Sequence, residues 1–161
     1  MTITYRPISP ADDAALARIV RDNLRAHALD VPGTAYFDPE LDDLSAFYGA
    51  EPERRAYFVA ADEQGRTLGG AGLAEFPQIP DCAEVQKLYL TDEAKGRGVG
   101  RALMQLVEAQ ARQLGYRKLY LETHSNLKIA LHLYETAGYA QIDRPSWVFH
   151  STMDRFFIKE L

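Results

Sequence analysis

The sequence predicts an α/β fold of the α+β kind, in which a mixed sheet carries helices on its faces. Runs with the two-residue period of strands alternate with runs whose apolar side chains recur at the spacing of an amphipathic helix. The chain has 161 residues, 47% of them apolar, which suits one domain with a proper core. The expected order is β-α-α-β-β-β-α-β-α-β-β, with about six to seven strands and about four helices.

The first half of the chain is expected to hold one strand, two helices and a hairpin. "ITYRPI", residues 3–8, predicts the first strand, and Ser9-Pro10 opens a helix whose stripe includes Leu16 and Leu24. A loop punctuated by Pro and Gly then leads into a short helix from about Pro39. "AYFVAAD", the turn "EQGR" and "TLGGAGLAEF" predict a hairpin whose second arm is weakened or bent by its glycines.

The second half is expected to alternate strands and helices. "AEVQKLYL" predicts a strand, and the following helix carries Leu103 and Val107 before it stops at Gly115. "KLYLET" predicts the next strand, and "LKIALHLYETA" predicts a helix closed by Gly138. Two strands end the chain, the last of them in "STMDRFFIKEL". The helices therefore separate strands of one sheet.

Composition excludes several classes of function. The formal charge of −5 argues against a nucleic-acid or anionic-membrane surface as partner, because those surfaces are recognised by clustered Lys and Arg. The lone Cys82 allows no internal disulfide and fits a reducing compartment. No secretory leader and no apolar window of membrane-spanning length is found. We expect a cytoplasmic protein with no nucleic-acid or membrane partner.

The segment "KGRGVGR", Lys95–Arg101, places three glycines among three basic residues just before a helix. A Walker A loop is excluded because Arg101 and Ala102 follow Gly100 where Lys and Ser or Thr are needed. A dinucleotide fingerprint is excluded because Arg101 occupies the place of its last glycine. A phosphate cradle at a helix N-terminus and a solvated surface turn explain the spacing equally well.

The neighbouring residues favour the cradle. "LYLTDEAKGRGVGRALM" resembles the acetyl-CoA loop of the GNAT superfamily of N-acetyltransferases, whose pattern is [QR]-x-x-G-x-[GA] after a strand; lysine stands at its first position here. "LYLETHSNLKIALHLYETAGY" resembles the second half of that superfamily's core. The resemblance covers Tyr57–Tyr139 clearly. It implies one N-acetyltransferase domain, residues 1–161, with a mostly antiparallel mixed sheet and splayed strands that form the acetyl-CoA cleft.

The resemblance also assigns residues to acetyl-CoA. The loop residues Lys95, Gly96, Arg97, Gly98, Val99, Gly100 and Arg101 would hold the pyrophosphate. The main chain of Leu88, Tyr89 and Leu90 would bind pantetheine, although a sheet core explains these apolar side chains equally well. An asparagine is frequent in the family where this chain has Leu127, and a small change of register would let Asn126 contact pantetheine or the substrate.

Acetyl transfer to an amine needs a base and benefits from an acid, because an amine with a pKa of ~10.4 is mostly ammonium at neutral pH. The resemblance makes Glu84 the first candidate base and Glu122 the second, whereas an exposed strand-end charge explains Glu84 as well. Tyr134 alone suggests a core tyrosine on a helical stripe. Its place four residues before Gly138 matches the general acid of the superfamily.

The acceptor side is the least defined. Tyr36, Phe37 and Asp38 lie in the segment that lines the acceptor pocket in the superfamily, and His124 is expected to end the same strand as Glu122 and to face the acceptor. Cys82 as an acyl carrier is less favoured than direct transfer, and His27, His132 and His150 show no metal-ligand spacing. We expect no metal and a primary amine as acceptor: a small amine, an amino acid or a peptide N-terminus. A coenzyme-A-binding sensor without turnover is the alternative, and a homodimer is left open.

Overall fold

The computed structural model describes residues 1–149 and 151–161, so His150 lies outside the described residues. The strands are β1 (Thr4–Pro7), β2 (Ala56–Ala61), β3 (Thr67–Glu75), β4 (Cys82–Leu90), β5 (Lys118–Thr123), β6 (Ala140–Ile142) and β7 (Arg155–Glu160). The helices are α1 (Asp13–Ala26), α2 (Leu44–Gly49), α3 (Val99–Gln113) and α4 (Lys128–Thr136). The expected order of strands and helices is confirmed.

The strands form one seven-stranded sheet in the order β1-β2-β3-β4-β5-β7-β6. Every neighbouring pair is antiparallel except β4 and β5, which run parallel. The mostly antiparallel mixed sheet is therefore confirmed. The helix α3 supplies the crossover that two parallel neighbours need.

Each face of the sheet buries its own apolar cluster. On one face α3 and α4 pack Leu103, Met104 and Tyr134 against strand residues such as Leu121. On the other face α1 and α2 contribute two smaller clusters, which include Leu16, Leu24 and Leu44. Burial of these stripes explains why the amphipathic spacing in the sequence located α1, α3 and α4.

The second helix begins later than the sequence suggested. Helix α2 begins at Leu44 rather than near Pro39, and a 3-10 turn at Leu41–Asp43 precedes it. Asp43 has φ −134°, outside the helical region, and this separates the turn from the helix. The residues between α1 and α2 therefore form a longer connecting segment, which lies against β4.

The strands β4 and β5 pair over three positions only in the described chain: Cys82 with Lys118, Ala83 with Leu119 and Glu84 with Tyr120. Beyond these pairs β4 continues to Leu90 and β5 continues to Thr123. The two strands thus diverge toward their carboxyl ends. This divergence is the expected splay, and it opens the sheet where the candidate site lies.

Strand β4 also carries a bulge. Its register against β3 shifts between Gly70, which faces Tyr89, and Gly72, which faces Gln86. A side chain on Gly70 would collide with the Tyr57 ring, so glycine is required for this close approach. The glycines were expected to weaken or bend β3; the strand continues from Thr67 to Glu75, and its register against β4 shifts between Gly70 and Gly72.

Candidate active site

A cleft of about 420 Å³ opens between the end of β4, the N-terminus of α3, and helices α1 and α4. It is lined by most of the residues that the sequence assigned to acetyl-CoA: Leu88, Tyr89, Leu90, Lys95, Gly96, Gly98, Val99, Gly100 and Arg101. The splayed strand and the glycine loop therefore border one continuous space.

The glycine loop presents main-chain donors to this cleft. Gly98 precedes α3 in the left-handed conformation, with φ 77°, and Gly96 has φ 74°. The amide of Ala102 is the first to donate back into the helix, to the Gly98 carbonyl at 3.0 Å. The amides of the first turn, at Val99–Arg101, precede that bond and have no acceptor inside the helix. Together with the positive end of the α3 dipole, they favour an anion.

A side chain from α1 holds the end of β4. The Asn23 amide donates to the Leu90 carbonyl at 2.9 Å and to the Ile19 carbonyl at 2.8 Å. Asn23 also lines the cleft. It therefore fixes the main chain that the sequence assigned to pantetheine, and no motif singled it out.

A smaller cavity of about 40 Å³ adjoins the cleft and contains Glu122 and Tyr134. The two spaces share Leu88, Tyr89, Leu127 and Ala130 as lining residues. The two spaces are therefore adjacent, and these four residues belong to both linings.

Tyr134 is 6% exposed, and its ring lies 6.1 Å from those of Tyr139 and Phe157. Its hydroxyl makes no hydrogen bond to the described residues, although it lines the smaller cavity. Burial raises the pKa of the phenol well above its ordinary value. Tyr134 therefore keeps its proton at neutral pH and has that proton free to donate.

Glu84 is not the exposed charge that one interpretation of the sequence suggested. Burial raises the pKa of its carboxyl to about 7, and the nearby charge of Glu122 acts in the same direction. Gln86 donates to Glu84 Oε1 at 2.8 Å and in turn accepts from the Tyr48 hydroxyl at 2.8 Å. A carboxyl that titrates near neutral pH is suited to proton transfer.

Glu122 lies on the neighbouring strand, on the same face of the sheet as Tyr120. The Tyr120 hydroxyl donates to Glu122 at 2.8 Å, and the Ser151 hydroxyl donates at 3.3 Å. Of the two candidate bases, Glu122 lines the cavity that contains Tyr134, whereas Glu84 has the raised pKa. The structure thus brings both carboxylates to one side of the splay.

Comparison with known proteins decides the family. Residues 18–139 match the model of the acetyltransferase (GNAT) family. YjgM, an uncharacterized N-acetyltransferase of Escherichia coli K12, is 34% identical over 140 residues, which cover 86% of this chain and 82% of YjgM. The chain belongs to the GNAT acetyltransferase family.

Solved GNAT structures have the same fold. An acetyltransferase of the GNAT family from Staphylococcus aureus Mu50 superposes with a TM-score of 0.85 at 16% identity, over 99% of each chain. A phosphinothricin acetyltransferase from Sinorhizobium meliloti, solved in complex with AcCoA, gives a TM-score of 0.77 at 23% identity over 100% of this chain and 89% of the other. As a GNAT family member, the chain is an acetyl-CoA-dependent acyltransferase.

Two further properties can be stated for residues 1–149 and 151–161 of this GNAT protein. No helix there is both long and apolar enough to span a membrane. The same residues hold no group of three or more His, Cys, Asp or Glu side chains placed to bind a metal ion.

Some GNAT positions assigned from the sequence lie away from the cleft. Arg97 does not line it, and its guanidinium donates to the Glu93 carbonyl at 2.9 Å. Asn126 lines neither space, and its amide donates to the His27 carbonyl at 3.0 Å. Leu127 lines both spaces instead. The small change of register that would bring Asn126 into the cleft is thus absent from the structure.

The acceptor candidates divide in the same way. His124 Nδ1 accepts from the backbone N–H of Asn126 at 3.0 Å, and its Nε2 lies 3.8 Å from Asp154 Oδ2. The Tyr36 hydroxyl accepts from Arg25 at 2.8 Å, and Phe37 is 59% exposed. Asp38 points toward β4, where it pairs with Lys87 at 2.7 Å. Two of these candidates contact the lining of the smaller cavity: Asp38 through Lys87, and His124 through its carbonyl, which accepts from the Leu127 backbone N–H at 2.9 Å.

Cys82 is a poor acyl carrier. It is 3% exposed and lines neither space. Burial raises the pKa of its thiol to about 11, so the nucleophilic thiolate is scarce at neutral pH. The preference for direct transfer over a Cys82 intermediate therefore gains support.

Sequence reasoning missed Lys87 and Glu40. Lys87 lines the smaller cavity and is bonded to both Asp38 and Glu40. A charged residue inside the otherwise apolar "KLYL" was the available signal. It was overlooked because the bulge that turns Lys87 inward cannot be recognised from one strand's pattern.

Proposed function

We propose that residues 1–161 form one N-acetyltransferase domain that transfers acetyl from acetyl-CoA to a primary amine by direct attack in a ternary complex. The observation that carries this proposal is that the two spaces are adjacent and share Leu88, Tyr89, Leu127 and Ala130 in their linings. A thioester that lies along the cleft would be next to the cavity of Tyr134 and Glu122, and Glu84 lies opposite Tyr120 on the neighbouring strand. The candidate binding site and the candidate reactive groups are therefore neighbours.

The glycine loop would bind the pyrophosphate of acetyl-CoA. The unpaired amides at the start of α3 and the left-handed Gly98 support this role. The main chain of Leu88–Leu90, which has no β5 partner, would hydrogen-bond pantetheine. The similarly folded Sinorhizobium meliloti protein was solved in complex with AcCoA, which supports acetyl-CoA as the molecule bound here.

Glu84 would act as the general base, directly or through a water. At neutral pH a carboxyl with a pKa of about 7 is partly ionised, so it can take a proton from the acceptor ammonium and be reset by solvent. The freed amine then attacks the thioester carbonyl carbon. Glu122 is the second candidate, since it lines the cavity with Tyr134.

Tyr134 would act as the general acid. When the tetrahedral intermediate collapses, the carbon–sulfur bond breaks and the sulfur needs a proton. The raised pKa of Tyr134 keeps the phenol protonated until that moment. As the amide forms, the nitrogen loses its second proton, which returns to Tyr134 directly or through water. The products are the acetylated amine and free coenzyme A, and the first proton of the ammonium passes through the base to solvent.

The acceptor is a small amine, an amino acid or a peptide N-terminus, and one experiment would distinguish among them. Purified protein is incubated with acetyl-CoA and a panel of the three acceptor classes, and free thiol is measured. We expect thiol release that depends on the acceptor and matches the acetylated product by mass. Tight acetyl-CoA binding without release for any acceptor would contradict the proposal and favour a binding module.

A further inference from the structure

Lys87 has an unusual position in β4. It lies at the bulge with φ 52°, a left-handed conformation that non-glycine residues seldom adopt. Its carbonyl accepts from the buried Tyr57 hydroxyl at 2.8 Å. The register of β4 shifts across this point. The bulge therefore re-aims the Lys87 side chain away from the direction that regular strand pleating would give it.

The re-aimed side chain is buried and doubly paired. Lys87 is 5% exposed at its side chain, and its ammonium lies 2.7 Å from Asp38 Oδ2 and 3.2 Å from Glu40 Oε1. Both carboxylates belong to the segment between α1 and α2. A buried ammonium is costly unless it is paired, so the strand and the segment hold each other in place.

The same cluster surrounds Glu84. Lys87 favours the ionised form of that carboxyl, whereas Asp38 and Glu122 oppose it. The Gln86 amide donates to it. Other titratable groups that interact with Glu84 electrostatically are Tyr48 on α2, Tyr120 on β5, and Cys82 on its own strand. The positive charge of Lys87 thus offsets the negative charges of Asp38, Glu40, Glu84 and Glu122.

We propose that Lys87 is a positioning residue. It ties the segment between α1 and α2, through Asp38 and Glu40, to the β4 bulge, and it sets the charge balance at Glu84. Two functions then depend on one ammonium, which fixes the wall of the acceptor site and keeps the neighbouring carboxyl reactive at neutral pH. The second function rests on the proposed role of Glu84 as base. The first does not.

The test compares Lys87→Met with Asp38→Asn, because each breaks the same ion pair from a different side. Glu84 is titrated directly by carboxyl-carbon NMR, with its signal assigned through Glu84→Gln. Loss of Lys87 removes a positive charge, so the pKa of Glu84 should rise by about half a unit or more. Loss of Asp38 removes a negative charge, so that pKa should fall.

Matched variants separate charge from folding. Arg21→Met removes an exposed ion pair to Asp42 of the same segment and should leave the Glu84 titration unchanged. Lys87→Arg keeps the positive charge and should keep the titration close to the parent's. Lys87→Met should also speed amide exchange at Asp38 and Leu41 by about tenfold relative to Arg21→Met.

Titration shifts of the same sign in Lys87→Met and Asp38→Asn, or no shift in either, would overturn the charge function. Unchanged amide hydrogen exchange at Asp38 and Leu41 in Lys87→Met would show that Lys87 does not hold the segment between α1 and α2 in place. A fully active Glu84→Gln enzyme would show that Glu84 is not the base. The titration of Glu84 and the amide exchange would still test the role of Lys87. Failure of the proposed function is therefore distinguishable from failure of this inference.

Discussion

At the scale of single residues, Tyr134→Phe separates chemistry from packing. The change removes one hydroxyl and keeps the ring, so melting temperature and acetyl-CoA affinity should stay near those of the parent. Loss of the proton donor should lower kcat by roughly 10- to 10³-fold. The loss should shrink with an acyl donor whose thiol is more acidic, because that leaving group needs less help.

Tyr139→Phe is the matched control. Tyr139 is also buried, and its hydroxyl donates to Glu108 at 3.1 Å rather than facing the cavity. This control should lose stability and keep its kcat. A Tyr134→Phe enzyme with unchanged kcat and a lower melting temperature would show that Tyr134 is a core residue.

Glu84 gives the expected pH dependence. The base must be ionised, so kcat/KM of the parent should fall as the pH drops through about 7, the pKa of the Glu84 carboxyl. Glu84→Gln should abolish this limb and lose most activity near neutral pH, with less effect at alkaline pH, where more of the amine is already free. If Glu122→Gln alone removed the limb, Glu122 would be the base.

The candidates that the sequence supplied depend on local motifs. Spacing alone left the glycine loop undecided and suggested a core tyrosine at Tyr134, and the family resemblance assigned both to the candidate site. Lys87 was missed, since its orientation depends on a bulge and on Tyr57 from another strand. The raised pKa of Glu84 was not foreseen either, because burial is set by tertiary packing.

At the scale of elements, the glycine loop can be tested by Gly98→Glu. The new carboxylate would stand where the loop is proposed to bind phosphate, so acetyl-CoA affinity should fall roughly tenfold or more. Isothermal titration measures the affinity. Wild-type affinity in the folded variant would refute the loop assignment.

Gly65→Glu controls for backbone strain. Gly65 has φ 81° against 77° for Gly98, and at both positions an added side chain meets open space. The two variants should therefore lose similar stability, about 1 kcal/mol, while acetyl-CoA affinity should fall in Gly98→Glu alone. Gly65 lies in the β2–β3 turn, outside the lining of the cleft.

The order of the helices and strands could be predicted because most of them have a clear period or stop signal, although the three-residue β6 is too short to show a period. The start of α2 could not be predicted. Over a few residues, a 3-10 turn and an α-helix give nearly the same apolar pattern, so the turn at Leu41–Asp43 and the helix that follows it cannot be told apart. The family resemblance implied that β4 and β5 splay apart. The alternation of apolar and polar residues along each strand gave no sign of where their pairing ends. Pairing is a property of two strands, so one pattern does not encode it.

At the scale of the whole molecule, Asp12 joins three elements. It is buried at the start of α1 and accepts from Arg6 on β1 at 2.7 and 2.8 Å and from Thr67 on β3 at 2.8 Å. These bonds hold the pKa of the Asp12 carboxyl well below its usual range. The pairing therefore stabilises the fold above the unfolded pKa of ~3.9, and this contribution is lost as the pH falls through the folded value.

Arg6→Met should leave the Asp12 charge buried without its cation. The free energy of unfolding should fall by about 2 kcal/mol at neutral pH, less than for a wholly buried pair because Arg6 remains 39% exposed. The penalty should shrink below about pH 4 as Asp12 takes up a proton. Urea denaturation at several pH values measures this, and a penalty independent of pH would show that packing, not charge, is lost.

The short pairing of β4 with β5 gives the sheet a line of mechanical weakness. Strands β1–β4 lie on one side and β5, β7 and β6 on the other, joined by the backbone ladder only at Cys82–Glu84 and Lys118–Tyr120 within the described residues. On heating or under mechanical force, separation of the two halves of the sheet should begin at this line. In the proposed complex, pantetheine lies between the unpaired parts of β4 and β5 and bridges the two halves of the sheet. Bound acetyl-CoA would therefore stiffen the entire sheet rather than one loop.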